Sequence, residues 1–152
     1  MDNILNFFAE NLKSYGAGIY EYEGRKFIGI KNPFSDNNLV ITFDPDHFTM
    51  EFTYQAARFS YGDEQFALRV IEDYLNDKNV AVEIFLNGKS LFGGTRSSEN
   101  CDFTDNAEFA EWYLAGRTDV AGNLTGFLEN DGVEVKIFSW SGKFDRVYSP
   151  KK

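Results

Sequence analysis

A chain of 152 residues is long enough for one domain that buries a core without disulfides or metal, and too short for two with separate cores. One cysteine and one histidine exclude a disulfide framework and any zinc site built from several Cys and His ligands. Fifteen basic against 24 acidic residues give a net charge of −9, which opposes binding to a nucleic-acid backbone.

The N-terminal segment places Asp2 ahead of its apolar residues and has no apolar run of signal-peptide length. No stretch approaches the roughly 18 apolar residues of a membrane-spanning helix. The expectation is a cytoplasmic protein with no membrane partner, a reducing setting that suits the lone Cys101.

Residues 2–15 predict a helix, with Asp2 as a cap and Gly16 as its stop. Ile4, Leu5, Phe8, Leu12 and Tyr15 share one arc, and Phe7 lies off it. Strands follow at Ile19–Tyr22 and Lys26–Lys31 around the turn Glu23-Gly24. Leu39–Phe43 and Phe48–Phe59 flank Asp44-Pro45-Asp46-His47, where proline pre-sets the turn. In the longer strand Phe48, Met50, Phe52 and Tyr54 alternate with polar residues, one dry face and one wet.

Residues 63–77 predict a second helix with a wide apolar stripe of Phe66, Ala67, Leu68, Val70, Ile71, Tyr74 and Leu75. Val80–Leu86 and Ser90–Gly94 flank Asn87-Gly88, the strongest hairpin signal in the chain. A third helix spans 105–115, with Asp105 as cap, Glu108 as the third residue of a capping box, and Gly116 as its end. Three strands near 124–129, 133–140 and 143–148 complete the order α-ββββ-α-ββ-α-βββ. Short connections require antiparallel pairing. The expected fold is therefore one α+β domain over residues 1–152, an antiparallel sheet with about three helices mostly on one face. The first part of this order is similar to the helix, three strands, helix, two strands, helix of type III secretion chaperones, a similarity of order with no shared motif.

Candidate chemistry is sparse. Cys101 and His47 are the only thiol–imidazole pair, and carboxylates beside Cys101 oppose thiolate formation. Glu83, alone among the acids in an apolar run, is expected on the solvent face of its strand by period two. Asp102, Asp105, Asn106 and Glu108 offer oxygen ligands but lack the calcium-loop pattern, and a capped helix explains them as well. Gly93-Gly94 fits a bulge or strand end better than a phosphate cradle. No cofactor or metal is implied.

One asymmetry remains. From Glu99 to Asp131 eight carboxylates face the single base Arg117, a local net charge of −7. On the third helix Glu108 and Glu111 lie about 60° apart, with Trp112 about 40° beyond Glu108. Phe109, Ala110, Tyr113 and Leu114 occupy the opposite arc. Asp102, Asp105, Glu108, Glu111 and Trp112 are therefore the candidate binding residues, with a basic protein as partner. Three function classes follow. The first is a non-enzymatic binding protein, as immunity proteins that neutralise nuclease toxins are. The second is a secretion or folding chaperone that binds extended apolar segments, with Phe7 as a contact or dimer residue. The third is a small carboxylate-based hydrolase. A solvated surface helix whose acids keep the protein soluble explains the same residues without any partner.

Overall fold

The computed structural model describes residues 2–115 and 117–150. Gly116, expected to end the third helix, lies outside them. The fold class is the expected one, α+β with antiparallel pairing throughout. Among the described residues its strands divide between two sheets, and there are four α-helices.

The first layer is a helix on a meander. Helix α1 (Asp2–Asn11) turns through a short 3-10 segment, Lys13–Tyr15, into strand β1 (Ala17–Tyr22). Strands β2 (Arg25–Ile30), β3 (Leu39–Phe43), β4 (His47–Phe52) and β5 (Gln55–Ser60) then add one beside the next. Helix α2 (Glu64–Leu75) returns over the same face as α1. Alternation along the strands fixes which face is dry. Ile28, Ile41, Met50 and Phe48 are fully buried beneath Phe8 of α1, Leu12 just after it, and Ile71 of α2. Phe66, expected in the α2 stripe, is 54% exposed instead and stands edge-on to Phe59. Phe7 is half-buried, with its ring edge-on to Phe8 at 5.1 Å.

The expected strand 48–59 is two strands. Thr53 and Tyr54 form the turn between them, with Phe52 opposite Gln55. The turns at Glu23-Gly24 and Asn87-Gly88 put glycine at a positive φ, as tight hairpins prefer. Thr53 takes φ 54° with a β-branched side chain, and its buried hydroxyl has no hydrogen-bonding partner. The composition of this turn gives no turn signal, which is why alternation ran through it.

The second layer contains β6 (Asn79–Leu86), β7 (Lys89–Ser97), β8 (Val133–Phe138) and β9 (Arg146–Tyr148) in the order β7-β6-β8-β9. Val80, Val82, Ile84, Val135 and Ile137 face helices α3 (Asn106–Tyr113) and α4 (Ala121–Leu128) in a second apolar cluster. The stretch expected as a strand at 124–129 is helix α4. Leu124, Phe127 and Leu128 have i, i+3, i+4 spacing, and the first and last are buried. The expected single core is thus two clusters of buried residues, which meet at β6. Ala81 belongs to the first cluster, and its neighbours Val80 and Val82 belong to the second.

Burial of β6 on both faces overturns the expectation for Glu83. The residue is 6% exposed, and its carboxylate accepts a hydrogen bond from Gln55 Nε2 at 2.7 Å and another from Ser90 Oγ. The same Gln55 amide donates to the Val82 carbonyl at 2.9 Å, so the β4–β5 hairpin is bonded to the second sheet. Tyr54 adds ring contacts to Phe85 and Phe138. Gly93, opposite Glu83 on β7, makes this possible: a Cβ there would lie 2.0 Å from the Val82 carbonyl oxygen and 2.3 Å from the Glu83 carboxylate. The glycine pair is therefore mid-strand, and the bulge falls at Leu91 of β7, opposite Ile84 and Phe85.

Two stability outcomes follow. Thr53→Gly relieves the left-handed β-branched residue and deletes the orphan hydroxyl, and should raise the unfolding free energy in urea by about 1 kcal/mol. Burial pushes the Tyr74 phenol, which bonds Thr95, up to about 12. Its contribution is complete below the ordinary phenol value of 10.0 and is lost as pH rises toward 12, so Tyr74→Phe should flatten the alkaline limb of a pH–stability curve.

Candidate functional site

The loop after β7 runs from Ser98 to Asp105 and crosses the outside of α3. Arg146 fixes the loop, and Arg96 fixes the end of the helix beneath it. Arg146 on β9 donates to the Phe103 carbonyl at 3.1 Å and lies over the Phe103 ring at 4.3 Å. Arg96 on β7 donates to the Tyr113 carbonyl at 2.6 Å and lies 4.1 Å from the centre of the Tyr113 ring. Phe103 is buried, and it touches Phe109 and Trp112 with ring centres at 4.9 and 5.5 Å. A loop built largely of polar residues is in this way held by one buried aromatic and the guanidinium stacked on it, while the second guanidinium anchors α3.

Between the loop and α3 lies a groove of about 500 Å³. Four of the five candidate residues line it: Asp102, Glu108, Glu111 and Trp112. Glu99 and Arg96 line it too, and sequence reasoning gave neither a role there. Trp112 is half-buried, as expected for a residue between the dry and acidic faces, and its indole N–H donates to the Glu99 carbonyl at 2.9 Å. Phe109, Ala110 and Tyr113 are buried on the opposite arc, as their spacing requires.

Asp105 does not line the groove. Its carboxylate accepts the Glu108 N–H at 2.8 Å and caps α3. Glu108 completes the box one residue further out than the standard form. Its carboxylate accepts the Thr104 N–H at 2.8 Å and the Thr104 hydroxyl at 2.5 Å. These bonds from Thr104 hold the Glu108 carboxyl below its ordinary value. The acids of the groove thus divide by role: Glu108 is bound locally, while Glu99, Asp102 and Glu111 are exposed carboxylates. Among the described residues none of these four has a lysine or arginine within ion-pair distance. Arg96, the cation nearest to hand, spends its donors on the Tyr113 and Thr95 carbonyls.

Cys101 and His47 belong to different surroundings. Burial, with Asp102 adding to it, pushes the Cys101 thiol up, which opposes a thiolate nucleophile. His47 begins β4, with one ring nitrogen 2.7 Å from Asp46 and the other 3.1 Å from Asp44, while Arg25 holds Asp44 at 2.8 Å. These contacts lock the β3–β4 turn. Among the described residues no three His, Cys, Asp or Glu side chains converge as metal ligands.

The Glu108 bonds set the acid behaviour of α3. A carboxyl held low contributes fully above its ordinary value of 4.5, and the contribution is lost as pH falls through the lower folded value. Helix signal followed by circular dichroism should show that loss on acidification, and Glu108→Ala should remove it.

Set against protein-family models, curated proteins and solved structures, the chain has no significant match, so its chemistry is read from these residues alone.

Proposed function

We propose that the chain is a non-enzymatic binding protein that captures a basic protein surface through the groove between the 98–105 loop and α3. The observation that carries this reading is the convergence of Glu99, Asp102 and Glu111 on Trp112 without a compensating cation at ion-pair distance among the described residues. Unpaired surface carboxylates set up a field that steers cationic partners, and a half-buried indole supplies a rigid anchor once contact is made. A nucleic-acid-degrading toxin has the matching chemistry, because its own active face must be basic to hold phosphates. That makes an immunity-type role the concrete form of the proposal. Cytoplasmic residence belongs to the same proposal; among the described residues no helix is long and apolar enough to cross a membrane.

The division of labour in the groove selects the variant. Glu108 is part of the helix cap, so changing it confounds binding with fraying. Asp102→Lys with Glu111→Lys changes the field by four charges and leaves the cap intact. The double variant should retain the wild-type circular dichroism, capture its partner from the native host at least tenfold more weakly, and lose most of the salt dependence of capture. Unchanged partners with unchanged salt dependence would refute the proposal.

A further inference from the structure

The five-stranded sheet has a second face that α1 and α2 do not cover. Pairing across the strands places its residues in straight rows. One row is Tyr20, Phe27, Thr42, Thr49 and Arg58; the next is Gly18, Gly29, Val40, Glu51 and Ala56. Tyr20 lies flat over the two glycines, where added Cβ atoms would meet its ring at 3.1–3.2 Å, and it stacks on Phe27 at 5.6 Å. Tyr20 is 50% exposed and Tyr22 is 70% exposed. The half of the face on β1 and β2 is therefore a smooth aromatic surface. The half on β4 and β5 is low, with Thr49 and Ala56 bordered by Glu51 and Arg58. Lys31, two residues beyond Gly29, lines the same surface. Lys31, Glu51 and Arg58 have no ion-pair partner among the described residues.

We propose that this face docks a second copy of the chain about a two-fold axis parallel to the strands. β3 is the middle strand, so such an axis lays β1 over β5 of the partner subunit and β2 over its β4. The aromatic half then covers the low half. Tyr20 meets Arg58 of the partner subunit, a cation over a ring, and Phe27 meets Thr49 of the partner subunit. Glu51 of the partner subunit falls over Gly29, within one row of Lys31. The three unpaired charges are each given a complement, twice over. The like charges that this axis brings together, Asp44 and Asp44 of the partner subunit, are each already paired with Arg25 at 2.8 Å. Sheets packed with aligned strands are an ordinary arrangement.

The size of the face sets the strength. Five strands of about six residues offer roughly 20 by 20 Å, or about 400 Å², from strand spacing and rise. Stable interfaces bury about 800 Å² per partner, so this dimer is concentration-dependent. It is independent of the acidic groove, which belongs to the other sheet, so either proposal can fail alone.

Sedimentation velocity between about 10 μM and about 1 mM, the range that brackets weak association, reads the result. The wild-type protein should move from monomer toward dimer across that range. Glu51→Lys should weaken association at least tenfold, and Lys31→Glu combined with Glu51→Lys should restore it. Thr42→Arg, which sets like charges against each other on the axis, should abolish it. All are exposed or half-exposed positions, and circular dichroism confirms folding. A wild-type chain that stays monomeric at the highest concentration overturns the proposal. So does a dimer indifferent to Thr42→Arg, or a charge swap that fails to restore what Glu51→Lys removes.

Discussion

The structure depends on a strand that has no wet side. β6 carries Val80, Val82 and Ile84 toward α3 and α4, and Ala81, Glu83 and Phe85 the other way, and all six are buried. A strand of that kind needs a layer on each face. The meander with α1 and α2 supplies one, and α3 with α4 supplies the other. The single charged residue in the run is tolerated because Gln55 and Ser90 complete its hydrogen bonds. An isolated buried carboxylate would be strongly destabilising. Here it becomes a point of attachment between the sheets, and Gly93 provides the room.

The groove follows from the same arrangement. With α3 seated on one face of β6, the connection from β7 must pass over the helix. A polar loop cannot bury itself there unaided. Phe103 reaches the apolar cluster, and Arg96 and Arg146 use their flat guanidiniums to cover rings while their N–H groups satisfy loop and helix carbonyls. Both guanidiniums bond backbone carbonyls, and neither pairs with a rim carboxylate among the described residues. The carboxylates at the rim are left to face solvent, and the field they create is a by-product of how the loop is held as much as of how many acids there are.

Local signals in the sequence were reliable where one residue dictates geometry. Glu23-Gly24 and Asn87-Gly88 set their hairpins, Asp105 and Glu108 set the start of α3, and the alternation of Phe48, Met50 and Phe52 placed β4. Failures arose where distant parts decide. Glu83 is in phase with a solvent face that another sheet covers. Alternation carried through Thr53 because a strained turn held by tertiary contacts leaves no compositional mark. The helical spacing of Leu124, Phe127 and Leu128 was masked by weak propensity, with Gly122 and Gly126 in the same helix. Four candidate groove residues lie on one short helix and its approach, so their proximity was legible. Arg96 comes from a neighbouring strand through pairing that no local pattern encodes.

A strand shared by two layers also orders the ways in which the molecule opens. β1 and β9 lie at sheet edges, with backbone groups that water can reach after small local excursions. Amides at the centre of β6 are released only when both apolar clusters have come apart. Deuterium uptake there would time complete unfolding, and uptake at the edges would time fraying, so one chain reports both ends of its own ladder of openings.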